Sequence, residues 1–210
     1  KQVAASLRLH ATTMNTQVVL HACRALSNLA AYNVANQATA VQAGVVDSIM
    51  SALKVHARDA MVQESAWLAL GFLSGDSTSA RVAIVDTGGI VQAVDALRIH
   101  ASNPKVQASV IHVLALLSYK NSEVKALLVK AGVVEHIAVA LQTHHSEHLV
   151  QEHSLEAFAN LAAASDASQL AIIRIGGVKL ITTALATHPF DIGVQRHGFV
   201  AIGNLVSKRN

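Results

Sequence analysis

The sequence predicts an all-α solenoid, a stack of short helices with three to a repeat. The first observation is a stretch that recurs five times, VVLHACRALSNL, VQESAWLALGFL, VQASVIHVLALL, VQEHSLEAFANL and VQRHGFVAIGNL. The copies start at Val18, Val62, Val106, Val150 and Val194, 44 residues apart each time. The second is their apolar stripe. Each opens on Val, carries a bulky apolar residue eight positions on (Leu26, Leu70, Leu114, Phe158, Ile202) and closes on Leu (Leu29, Leu73, Leu117, Leu161, Leu205). That spacing keeps one face of a three-turn helix apolar, so all three positions are expected in the core. The third is the length of the period, which belongs to solenoids.

The elements follow in order. Residues 1–10 read as the tail of a helix. Its ending, Leu7-x-x-His10, recurs at Leu53-x-x-His56, Leu97-x-x-His100, Leu141-x-x-His144 and Leu185-x-x-His188. The loop after His10 is two residues longer than its counterparts. A loop with turn and capping residues (Asp59, Asn103-Pro104, Asp191) leads into each long helix. A polar bend comes next, then a short amphipathic helix carrying apolar pairs such as Ile84–Val85, Leu127–Leu128 and Ile172–Ile173. That helix stops at Gly44, Gly88-Gly89, Gly132 or Gly176-Gly177, where glycine allows a left-handed exit and a sharp restart. A medium helix closes the unit.

Residues 1–210 read as one domain, with repeats at 1–31, 32–75, 76–119, 120–163 and 164–210, the first lacking its short helix. The chain opens on Lys1, in mid-pattern, and is expected to be part of a longer protein.

The whole chain resembles the armadillo repeat family. The resemblance rests on the Gly kink between helices one and two and on helix three, read as A-x-x-A-L-x-N-L-A. Cys23 to Ala30 (CRALSNLA), Leu155 to Ala162 (LEAFANLA) and Phe199 to Val206 (FVAIGNLV) match it. The His closing helix two and the Val-Gln opening helix three also look like armadillo segments of some large signalling scaffolds. The resemblance implies a right-handed superhelix whose third helices line a concave groove. It also implies that the Asn of the motif clamps the backbone of an extended peptide, since a carboxamide offers both donor and acceptor.

The matching positions are Asn28, Phe72, Leu116, Asn160 and Asn204, so two adjacent rungs are apolar. Four residues earlier stand Arg24, Leu68, His112, Glu156 and Val200, where relatives of the importin-alpha type often carry Trp. Trp67 is one residue off, in a core register shared with Cys23, Ile111, Leu155 and Phe199. The candidate groove residues are Arg24, Asn28, Leu68, Phe72, His112, Leu116, His153, Glu156, Asn160, His197 and Asn204. His21, His153 and His197 share a groove-side register with Ser65 and Ser109. Two readings stand: the apolar middle accepts an apolar segment, or those side chains repack and the Asn ladder is lost.

Other signals weigh less. Asp86-Thr87-Gly88 matches an aspartic-protease tripeptide, but such chemistry needs a second carboxylate in a paired loop, and Asp86 has no counterpart in the other repeats. His144, His145, Glu147, His148 and His153 crowd together. His144 and His148 straddle a loop, so a solvated loop explains them better than zinc. The histidines ending helix two are expected to bond carbonyls there. No metal or cofactor is expected, and no enzyme activity.

Composition fits an interaction module. Hydrophobic residues make up 52%, charged residues 14% and aromatics 3%, so the core is built from small aliphatic side chains. A net charge of +3, with Lys179, Lys208 and Arg209 isolated, does not suggest nucleic acid. No apolar run reaches a membrane span. The single cysteine, Cys23, suits a reducing compartment, hence the cytoplasm with the nucleus as alternative. The function expected is a non-catalytic scaffold for protein or peptide ligands, with uncovered end faces associating end to end. The alternatives are an importin-alpha-like receptor for basic peptides and a regulatory segment of a larger signalling enzyme.

Overall fold

In a computed structural model of the protein, residues 2–13 and 15–207 are described, and the predicted segments are helices. Lys208 and Arg209, and so the end of the fifth repeat, lie outside the described residues. The first repeat holds α1 (Gln2–His10) and α2 (Thr16–Ala30). The second holds α3 (Val34–Gln42), α4 (Val45–Val55) and α5 (Ala60–Ser74), and the third α6 (Thr78–Asp86), α7 (Gly89–Ile99) and α8 (Pro104–Ser118). The fourth holds α9 (Ser122–Lys130), α10 (Val133–Thr143) and α11 (His148–Ala162), and the fifth α12 (Asp166–Arg174), α13 (Gly177–Thr187) and α14 (Ile192–Val206). Among the described residues there is no strand, and no single helix is long and apolar enough to cross a membrane.

Side-chain caps set the helix starts. Asn33, Ser77, Asn121 and Ser165 each accept an N–H in the first turn of a first helix. Asp59, Asn103 and Asp191 do the same for third helices. Each such bond satisfies a backbone donor that the helix itself cannot. Between first and second helices the chain turns at Gly44, Gly88, Gly132 and Gly176, all left-handed with φ of 69 to 83°. A second left-handed bend, after the third helices, falls on non-glycine residues: Tyr32, Lys120 and Ala164 have φ of 55, 51 and 59°.

The helices gather into two compact units, Lys1–Leu116 and Leu117–Asn210. In the first, α2 packs on α1 and α5, and α6 packs on α3, α4 and α5; in the second, α11 packs on α14 and α12. The stripe positions are buried in the three middle copies and at Leu26, Val194 and Leu205. They are not core in every copy. Val18 and Ile202 are half-buried and Leu29 is 50% exposed. Val18 and Leu29 lie in the first repeat, where a repeat without a first helix covers less of α2. One member of two apolar pairs also faces out: Leu127 and Ile173 are exposed while Leu128 and Ile172 are buried.

Two polar series tie helix ends together. Gln63, Gln107, Gln151 and Gln195 each donate through Nε2 to two carbonyls closing the preceding second helix; for Gln107 these are Leu97 O at 2.9 Å and His100 O at 3.0 Å. The first copy has Val19 at that place. There the longer loop supplies the bond, with Thr13 Oγ1 donating to His10 O at 2.9 Å. The other series comes from the first helices. Gln37 donates to Ala30 O, Arg81 to Ser74 O and Gly75 O, Lys125 to Ala163 O, and Gln169 to Ala162 O and Asn204 O. These reach carbonyls at the C-termini of third helices, which lack helical partners of their own.

Candidate functional site

Third helices carry every candidate groove residue, because their buried stripe leaves positions such as 24, 28, 68 and 72 on the opposite side. In the first unit, Arg24 and Asn28 of α2 are exposed. On α5, Leu68 is 39% exposed and Phe72, one turn on, is half-buried. On α8, His112 and Leu116 are half-buried. The His112 ring lies against Gly71, where an added Cβ would come within 3.0 Å of His112 Cδ2. The face thus runs from a cation and a carboxamide on α2 to aliphatic and aromatic groups on α5.

The second unit is polar. His153 Nδ1 is 3.5 Å from Glu156 Oε2 on α11, and Arg196 Nη2 is 2.9 Å from His197 Nε2 on α14. Burial holds the His197 pKa below the ordinary histidine value; Glu156 and Glu152 pull it up, and Arg196 and His153 push it down. Loss of hydration costs the imidazolium more than the carboxylates return. Asn160 and Asn204 are half-buried. Asn204 Nδ2 donates to Ala159 O on α11 at 2.9 Å, so one of its two N–H groups works within the fold. Its other N–H and its Oδ1 take no part in that bond.

The other registers resolve as packing or solvation. Trp67 is fully buried, and its Nε1 donates to Gln63 Oε1 at 3.1 Å, which orients the Gln63 amide toward its carbonyls. Ser65 and Ser109 are buried, and Ser109 Oγ donates to Lys105 O. Their register is therefore open only where His21, His153 and His197 stand, the first exposed and the others half-buried.

The helix-two histidines bond carbonyls as expected, but those of the preceding repeat: His100 Nε2 meets Ala57 O at 2.8 Å and His188 Nε2 meets His145 O at 2.7 Å. His56 Nε2 has no such partner among the described residues. In the crowded loop His144 is buried while His145, Glu147 and His148 are exposed. Asp86 is an exposed helix end and Gly88 a left-handed turn. Sequence reasoning missed the two carbonyl-capping series. Its available signal was an N–H-bearing side chain at positions 37, 81, 125 and 169, one period apart.

Similarity to known proteins agrees with this geometry. The chain resembles the crystal structure of an engineered protein from the Northeast Structural Genomics Consortium at 26% identity and a TM-score of 0.84, over 96% of this chain and 80% of that one. A second engineered protein from the consortium matches at 29% identity and a TM-score of 0.83, over 99% of this chain and 48% of that one. A designed armadillo repeat protein in complex with the peptide (KR)4 shares the fold at 19% identity, with a TM-score of 0.82 over 100% of this chain and 82% of that one. No curated protein matches in sequence. The family model described as LRRK2 ARM repeat matches residues 1–170. With its three-helix repeats, glycine kinks and third-helix stripe, the chain belongs to the LRRK2 ARM repeat family.

Proposed function

We propose that residues 1–210 form one non-catalytic interaction scaffold that holds a peptide, helix or neighbouring domain on the face of its third helices, in a cytoplasmic setting. The observation that carries this is on α5. Leu68 is 39% exposed and Phe72 half-buried at the two positions where an armadillo groove meets its ligand. Aliphatic and aromatic side chains left open at a ligand-facing position favour an apolar partner surface. An amphipathic helix answers that requirement.

The importin-like reading asks for a basic peptide. A designed relative is seen with (KR)4, yet this chain carries a net charge of +3 and exposes Arg24 on the same face. Like charge slows and weakens such an encounter. Exposed Phe199 on α14 (63%) adds a surface for end-to-end self-association.

Fluorescence anisotropy with two labelled peptides tests the choice, one an amphipathic helix with a Leu/Phe face and the other (KR)4. The amphipathic peptide is expected to bind, and Phe72→Asp to weaken it at least tenfold with the helical circular dichroism unchanged. Equal binding by Phe72→Asp, or tight binding of (KR)4 alone, rejects the apolar-groove reading.

A further inference from the structure

In the third, fourth and fifth repeats the first helix drives one side chain into the core beneath the glycine kink. Ile84, Leu128 and Ile172 fill this place and are fully buried. The same register in α3 is Ala40, which is only half-buried. Around it the structure has a cavity of about 200 Å³. Val3 and Ala4 of α1, Leu26 and Leu29 of α2, Ala40, and Val45 of α4 form its walls. The next layer of the same chain shows how such a space is normally closed. There Ile49 and Met50 stand where Val3 and Ala4 are, and Ile84 stands for Ala40, all at most 3% exposed. Three small side chains, Val3, Ala4 and Ala40, thus leave this space unfilled, in a layer whose repeat has no first helix to cover Leu29.

Its walls are mainly aliphatic. The helix-end carbonyls beside it are already bonded: Asn36 Nδ2 donates to Leu29 O at 2.7 Å and Gln37 Nε2 to Ala30 O at 3.1 Å. The buried Gln37 Oε1 beside them is an acceptor without a partner among the described residues, while the side chains of the walls are mainly apolar, and apolar cavities of comparable size accept hydrocarbons. The mouth is open, with Leu29 half exposed and Asn36 and Thr39 exposed on the rim. We propose that this cavity is a binding site for a compact, uncharged aliphatic or aromatic group carried on a small molecule, which takes the place of the absent Ile or Leu side chain. The site is separate from the third-helix face and independent of its function.

The chain also supplies the control. Leu128 coexists with Val133 in the fourth repeat as Ala40 does with Val45 in the second, so Ala40→Leu fills the cavity with a pairing the fold already uses. The probes are toluene and isobutylbenzene, with benzoate as the charged counterpart. Methyl-resolved NMR titration of the 210-residue chain is expected to show saturable shifts at Leu26 and Leu29 with the two neutral probes and none with benzoate. Ala40→Leu is expected to weaken toluene binding at least tenfold and to raise the Tm without ligand. Ala4→Met, copied from Met50, fills the space from α1 and decides the matter if the first variant folds poorly. No saturable binding by the parent, or parent-like binding by both variants, overturns the proposal.

Discussion

At the scale of single residues the kink shows a coupling within one chain. Where the first helix carries isoleucine, the second opens on glycine: Ile84 with Gly89, Ile172 with Gly177. Where it carries alanine or leucine, it opens on valine: Ala40 with Val45, Leu128 with Val133. The reason is steric. A Cβ at Gly89 would stand 2.4 Å from Ile84 Cγ2 and 2.6 Å from Ile84 O, and Gly177 meets Ile172 at the same distances. The β-branch places its methyl at the helix exit, whereas leucine branches one carbon later. Gly89→Val is expected to destabilise by about 1–3 kcal/mol, the usual range for overpacking a core. Ile84→Leu with Gly89→Val is expected to recover most of that loss, a non-additivity that urea melts of the single and double variants measure. Strict additivity would remove the coupling. His197 supplies a second residue-scale expectation. Its folded pKa lies below 6.5 because burial opposes the imidazolium. As pH falls beneath 6.5 the unfolded chain binds the proton first, so stability due to this residue is complete above 6.5 and declines through the window below it. Glu152 and Glu156, which face the ring, temper the loss, and Arg196 and His153 deepen it. His197→Gln is expected to shrink the drop in urea midpoint between pH 7.5 and pH 5.5; an unchanged drop would place the effect on other histidines.

At the scale of elements, the glutamine opening each third helix does two tasks. It sits in the first turn of one helix and closes the last turn of another, so it fixes the angle between them. Gln107 is 2% exposed and holds two carbonyls. Gln107→Leu would take the amide donor from the buried Leu97 O and leave His100 O with the Asn103 N–H alone, at about 1–3 kcal/mol for a buried group left unsatisfied. Gln195 makes the same bonds but is only half-buried, so water replaces part of what Gln195→Leu removes. Thermal melts are expected to rank Gln107→Leu as the more damaging, and a reversed order would contradict the capping account. These elements also show what a sequence discloses. The 44-residue period placed all the third helices, since an apolar stripe records its own phase. Trp67 was legible as core from its register. The role of Gln63 was not, because its partners are carbonyls that the sequence does not mark. The first-helix caps stayed hidden because Gln37, Arg81, Lys125 and Gln169 differ chemically and share only an N–H. At the site, the chemistry of Leu68 and Phe72 could be read directly. The bond from Asn204 to Ala159 O could not, since it depends on how closely α14 approaches α11. Val18 and Leu29 departed from the stripe because periodicity reports the face of a helix and not whether a neighbour covers it.

At the scale of the whole molecule, a repeat fold makes stability local. Each layer is stabilised by the layers beside it, so the free energy approximates a sum of neighbour terms and end layers open first. Cys23 is a built-in reporter of this. It lies on α2 of the first repeat, is fully buried, and burial pushes its thiol pKa up to about 12. A thiol so protonated and covered reacts with a disulfide reagent only after α2 opens. Leu26→Ala, in the same helix, removes a core side chain, which typically costs about 2–5 kcal/mol. It is expected to speed labelling of Cys23 at least tenfold. Leu205→Ala removes a comparable buried side chain from α14 in the fifth repeat. In a solenoid that loss stays with its neighbours, so the Cys23 labelling rate should hold within about twofold while hydrogen exchange in α14 accelerates. A single cooperative core would behave otherwise, because opening anywhere would then be opening everywhere and both variants would speed labelling in proportion to their stability loss. Equal acceleration by Leu205→Ala and Leu26→Ala would therefore refute local stability for this chain, whereas separation of the two rates would show that the third-helix face can lose order at one end and keep its binding surface at the other.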